Sequence, residues 1–222
     1  MVEIQGESRD QAAAWIACPA GAIPDPGQYL LAWSPADGEA ALGAALFLGQ
    51  KTEQAFLAAP PIPRSWEPGT ALSLRGPLGQ GFHLPPTTRR LALAAVGASA
   101  ARLLPLIPPF LAQDTAVTLF TGARLPALPA ELEVYPLQEL PGAIAWADFL
   151  ALDLPLESLP QLRPILGLSP GERLACPAQA LVVTGMPCAG LAECGACAVP
   201  GRRNWKLACK DGPVFDLNEM AW

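Results

Sequence analysis

The chain has 222 residues, a formal net charge of −6, 51% hydrophobic and 15% charged residues. That composition supplies ample core material and excludes global disorder, while an acidic balance without a basic stripe excludes nucleic acid as an expected partner. The length fits one large domain or two to three small ones.

The N-terminus, Met1-Val2-Glu3-Ile4, has no basic region leading into an apolar run, so no signal peptide is expected. Its 26 prolines and 20 glycines follow no repeat and indicate many turns between short elements. Up to about residue 86 the pattern is one of short strands. Pro24-Asp25-Pro26-Gly27 is a turn signal before a strand at 28–33, with further strands at 44–48, 54–58 and, after Pro68-Gly69, 71–75. So many short strands predict a small β-barrel over residues 1–86.

The period then changes. Leu91 to Val96 is a compact apolar run suited to a buried parallel strand, followed by Gly97 and a helix-like segment over 99–111. Residues 116–120, 131–135 and 144–151 read as further strands, and 156–166 as a helix. Strands alternating with helices predict an α/β domain over residues 87–180. The most apolar stretch, Leu91 to Ala112, contains Arg102, Pro105, Pro108 and Pro109, which would interrupt a spanning helix, so no membrane span is expected.

The remaining residues, 181–222, are Cys- and Gly-rich and too few to fold without a cofactor. Cys188, Cys194, Cys197 and Cys209 follow a C-x5-C-x2-C-x11-C pattern, while Cys18 and Cys176 stand apart and read as small buried hydrophobes. Clustered thiols without a secretory signal fit metal ligation in a reducing cytosol, placing the protein in the cytoplasm. Four thiolates on one short loop and a returning strand are what a [2Fe–2S] cluster requires, two per iron, close to the plant-type C-x4-C-x2-C spacing. A structural zinc site is the chief alternative, although zinc knuckles pair two short C-x2–4-C units and here three cysteines crowd one loop. A third reading is four small side chains with no metal at all. Arg202, Arg203, Lys206 and Lys210 against Glu193 and Asp211 place a basic excess where an anionic cluster would lie.

The segment from Cys194-Gly195-Ala196-Cys197 to Cys209-Lys210-Asp211-Gly212-Pro213-Val214-Phe215 resembles the electron-transfer subunit of dihydroorotate dehydrogenase, whose cluster domain ends in Cys-x-Asp-Gly-Pro-Val-Phe. Gly76-Pro77-Leu78-Gly79-Gln80-Gly81-Phe82 is similar to that family's Gly-Pro-Leu-Gly-x-Gly-Phe, and Pro26-Gly27-Gln28-Tyr29 to its Pro-Gly-Gln-Phe. The resemblance implies a ferredoxin-reductase-like architecture: a flavin-type barrel, a nucleotide-binding-type α/β domain and a small C-terminal [2Fe–2S] domain. It implies FAD at Tyr29, Gly76, Pro77, Gly79 and Gly81, and an FMN-containing catalytic subunit as partner, in pyrimidine biosynthesis. Electrons would run from FMN through the cluster to FAD and NAD.

The departures reshape that expectation. The family's flavin arginine is missing from Ala40 to Phe47, its Gly-Gly-x-Gly-x-x-Pro loop keeps one glycine in Val96 to Pro105, and its Cys-Gly-Pro-x-x-Met has become Leu152 to Glu157. Loss of NAD binding and a weakened FAD site follow. An iron–sulfur adaptor for another flavin oxidoreductase and a zinc-stabilised scaffold are the competing functions. His83, Ser34 and Ser99 lack any catalytic context. Trp205 and Trp222 are placed to cover the cluster or meet a partner.

Overall fold

The computed structural model describes residues 2–5, 12–35, 42–188 and 190–222. Ala40 and Ala41 of the expected flavin stretch, and Ala189 of the cysteine loop, lie outside them. The first third of the chain builds a six-stranded antiparallel sheet from β1 (Val2–Gln5), β2 (Ala13–Ala17), β3 (Tyr29–Trp33), β4 (Ala44–Lys51), β5 (Ala55–Ala58) and β6 (Ser73–Leu78). The order is β1-β2-β5-β4-β3-β6. Among the described residues β1 and β6 do not pair, so this barrel-type sheet is not closed by its ladder.

A second six-stranded sheet, β14-β11-β10-β7-β8-β9, contains β7 (Arg90–Ala95), β8 (Ala116–Thr121), β9 (Glu133–Tyr135), β10 (Phe149–Pro155), β11 (Ala178–Val183) and β14 (Val214–Asp216). All its pairings are parallel except β11 with β14. The chain winds outward from β7 through β8 to β9, then returns to β10 on β7's other side. That reversal is the topological switch point at which open α/β sheets bind ligands. The boundary expected between residues 180 and 181 falls inside β11, and β14 brings the tail back into the same sheet.

The connections carry less helix than the apolar pattern predicts. The segment 99–111 holds one 3-10 turn and α1 (Ile107–Leu111), and 156–166 holds a 3-10 stretch and α3 (Leu162–Ile165). Pro105, Pro108, Pro160 and Pro164 remove backbone donors there and restrict the preceding residues. A four-residue turn, α2 (Leu140–Ala143), precedes β10, which starts five residues later than the strand expected at 144. No helix among the described residues is long and apolar enough to cross a membrane.

Strand β3 is the hinge of the architecture. Leu30 and Ala32 face the interior of the first sheet with Leu46, Leu48, Phe56 and Trp66. Tyr29 and Leu31 face the opposite way, into a core shared with Leu150, Leu152, Val182, Cys197, Cys209 and Phe215. With both faces covered, the alternation expected of a half-exposed strand gives way to four consecutive buried residues.

Candidate iron–sulfur site

The tail leaves β11 at Val183 and forms a loop from Met186 to Cys197. A two-stranded hairpin follows, β12 (Ala198–Pro200) paired with β13 (Trp205–Leu207), and then one turn, α4 (Ala208–Asp211). Cys197 immediately precedes the hairpin and Cys209 lies just beyond it, so the paired strands bring the two together. The Ala208 N–H donates to the Cys197 carbonyl at 3.0 Å. Both cysteines are buried, while Cys188 is half-buried and Cys194 exposed.

The four thiols act on one another: Cys194 helps lower the Cys188 thiol, while Cys197 and, more weakly, Cys188 raise that of Cys209. The loop turns its backbone toward these sulfurs through left-handed residues at Gly190 (φ 73°), Ala192 (φ 62°) and Gly195 (φ 69°). An alanine in that region is uncommon and carries local strain. Here it aims the Ala192 N–H at Cys209. The N–H groups of Glu193 and Cys194, with help from the Cys194 thiol and the Leu191 N–H, pull the Cys188 thiol down to about 6. The Ala196 N–H donates to the Cys194 sulfur at 3.4 Å. Burial, then the neighbouring Cys197, pushes Cys209 up to about 12. A set of N–H donors around the thiols is what stabilises and tunes cluster sulfur.

The five residues expected at a flavin have other neighbours. Tyr29 is fully buried, and its hydroxyl donates to the Cys209 carbonyl at 3.3 Å. Burial, reinforced by the charges of Cys209 and Cys197, raises its phenol to about 12. Gly76 is exposed and Pro77 half-buried. A Cβ on Gly79 would lie 2.6 Å from the Pro213 side chain and 2.8 Å from the Gly212 carbonyl, and one on Gly81 would lie 2.8 Å from the Pro26 carbonyl. The Gln80 N–H donates to Gly212 at 2.6 Å. This turn is therefore the socket that receives Gly212-Pro213 of the tail. On β4, Ala44, Ala45 and Leu46 carry no side-chain hydrogen-bond donor.

The expected nucleotide loop is self-satisfied as well. The Ser99 hydroxyl accepts from the Ala101 N–H at 3.1 Å, and the Leu103 N–H donates to the Ala100 carbonyl at 3.0 Å. Arg102, which the sequence offered only as a break in an apolar run, turns inward to Asp153 of β10. A lone charge inside an apolar strand, as Asp153 is, was the available signal for a buried partner. His83 lies outside any helix or strand, its Nδ1 2.8 Å from the Gly81 carbonyl. Cys18 and Cys176 are buried, Cys18 in the core of the first sheet and Cys176 in the shared core that also holds Cys197 and Cys209. Trp222 docks through its Nε1–H on the Leu217 carbonyl at 2.8 Å, under Arg163, whereas Trp205 is 70% exposed.

Residues 186–221 match the iron–sulfur cluster binding domain of dihydroorotate dehydrogenase B. The tail is therefore similar to the iron–sulfur domain of that family. The whole chain is similar in structure to a chain of the NADH-dependent reduced ferredoxin-NADP oxidoreductase, at 18% identity and a TM-score of 0.76, covering 100% of this chain and 89% of that one. It is also similar to the ferredoxin reductase in carbazole 1,9a-dioxygenase, at 19% identity and a TM-score of 0.57, over 75% of this chain and 63% of that one. A third likeness is to the flavohem-like FAD/NAD binding domain of nitric oxide dioxygenase from Vibrio cholerae, at 14% identity and a TM-score of 0.53, over 82% and 95% of the two chains. No curated protein sequence matches the chain. The body thus has a ferredoxin-reductase-like fold, and the iron–sulfur domain is joined to it by β11, β14 and the socket at Gly79 to Gly81.

Proposed function

We propose that the chain is the electron-transfer subunit of a dihydroorotate-oxidising complex, held to an FMN-containing catalytic subunit in cytoplasmic pyrimidine synthesis. The observation that carries this reading is the match of residues 186–221, which hold all four cysteines, to an iron–sulfur cluster binding domain. Cys188 with Cys194 would hold one iron, and Cys197 with Cys209 the other. Four thiols on one loop and a returning hairpin, met by N–H donors, suit a binuclear cluster. When bound, such a cluster supplies a one-electron relay.

The residues around it keep the thiols fixed and dry on one side. Cys197 and Cys209 are packed under Val199, Leu217 and Met220, and exposed Cys194 leaves the other side open toward a partner. Arg102 supports the loss of NAD from this scheme. Its guanidinium lies beside the switch point, where a nucleotide would have to approach, and is committed to Asp153 and Pro60. Iron and acid-labile sulfide assays on protein copurified with its FMN subunit test the reading. Equal iron and sulfide, with cluster absorbance bleached by dihydroorotate, are expected; zinc alone, or a cluster indifferent to dihydroorotate, overturns it.

A further inference from the structure

We infer that the Tyr29 hydroxyl is a positioning group for the cluster, fixing the chain at Cys209 and setting the cluster's midpoint potential. The inference rests on ligation by the four cysteines as proposed above. Tyr29 belongs to the first sheet, yet its hydroxyl reaches a carbonyl 180 residues further along the chain, at 3.3 Å and buried. It also lies close to the other limb of the site, since a Cβ added on Gly190, between Cys188 and Cys194, would fall 3.2 Å from the same oxygen. The ring cannot swing away. Phe47 is at 5.9 Å between ring centroids, and a Cβ on Gly79 would lie 3.0 Å from the ring's Cε1. One hydroxyl therefore meets both cysteine-bearing segments from a rigid strand.

The hydroxyl is spent on the backbone of a proposed ligand, the Cys209 carbonyl. Reduction of a cluster adds negative charge. In a buried, low-dielectric setting, an O–H directed at the Cys209 peptide favours that charge. Removing the oxygen while keeping the ring should lower the potential.

The test is an EPR-monitored redox titration of the full chain carrying its cluster, comparing wild type, Tyr29→Phe and Tyr135→Phe. Tyr135 lies on β9, at the far edge of the second sheet, and serves as the control. Tyr29→Phe is expected to shift the midpoint potential downward and alter the EPR line shape at full iron content, while Tyr135→Phe leaves both unchanged. Poor cluster loading of Tyr29→Phe, with the apo-protein melting as wild type does, also supports a positioning role. A wild-type potential and spectrum in cluster-loaded Tyr29→Phe overturns it, and so does a lowered apo melting temperature with the potential unmoved, which assigns the hydroxyl to the fold alone. Wild-type protein that takes up no iron and sulfide overturns the ligation reading itself, and this inference with it.

Discussion

Arg102 grips both carboxylate oxygens of Asp153 through its Nε, at 3.1 and 2.9 Å, and donates from Nη1 to the Pro60 carbonyl at 2.9 Å. Asp153 lies on β10 of the second sheet, and Pro60 follows β5 of the first, so one guanidinium ties the two sheets together. Its carbon also stands 5.9 Å from the centre of the Phe47 ring. Burial pushes the Asp153 carboxyl up, and the Arg102 charge pulls it back down. A buried pair of this kind contributes little net stability against an apolar substitute, but leaving one member alone is expensive.

Arg102→Ala should therefore destabilise the protein by about 3–5 kcal/mol, because Asp153 is left buried without its cation. The double variant Arg102→Met with Asp153→Leu should recover most of that loss. Urea unfolding of the single and double variants checks the pair, and an Arg102→Ala protein as stable as wild type would remove the latch.

Cys18 and Cys176 supply a second prediction. Burial raises both thiols above the ordinary value of 9.0, with Asp148 adding to the effect at Cys176. Their thiolate fractions at pH 8 are therefore smaller than that of a free cysteine, and both should alkylate slowly. In cluster-loaded native protein no thiol should react quickly, and removal of the cluster should release fast reaction at Cys194, the exposed member of its set. The linkage sign is that of a raised folded pKa. The associated stability is fully present below the unfolded thiol pKa and declines as pH rises from there through the folded value. Cys176→Ala should flatten the alkaline fall in melting temperature above about pH 9.

How much of this was legible before folding depends on the range of the interaction. The four cysteines could be read because cluster chemistry demands their crowding within a short stretch, and the strands at 29–33, 44–51, 90–95 and 116–121 because their apolar runs are bounded by turns. The hydrogen bond from Tyr29 to the Cys209 carbonyl spans 180 residues, and no local pattern encodes that meeting. Arg102 and Asp153 are likewise 51 residues apart. The long helices expected at 99–111 and 156–166 failed for a readable reason. Each contains prolines whose cost outweighs an apolar period. Strand β11 at 178–183 was missed because its pairing with β14 makes a tail segment part of the second sheet.

On the acid side, Asp148 accepts from the Arg90 side chain at 2.6 Å and from the N–H groups of Arg89 and Arg90. The Arg90 hydrogen bond, then that from Arg89, holds its carboxyl below the usual carboxylate range. For a depressed pKa the stability is present above the unfolded value and is lost as pH falls through the folded one. Asp148→Asn should lower stability at neutral pH and narrow its gap to wild type as pH drops below about 4. Parallel melting curves for the two proteins across that range would refute the assignment.

The socket for the iron–sulfur domain gives the most direct test of how the tail is held. Gly79 has a φ of 77°, and a methyl there would meet Pro213 at 2.6 Å and the Gly212 carbonyl at 2.8 Å. Gly79→Ala therefore combines left-handed strain with a clash against backbone, a cost on the order of 1–3 kcal/mol. Because the clash is with the segment just after Cys209, the loss should fall on docking of the tail before it reaches the two sheets. Chelator-driven cluster release should accelerate roughly tenfold or more, as a docking loss above about 1.4 kcal/mol requires. Gly69→Ala is the matched control, since Gly69 shares a positive φ of 90° but a methyl there meets nothing within 4 Å. Equal release rates in the two variants would show that strain alone, without the contact at Pro213, accounts for the effect.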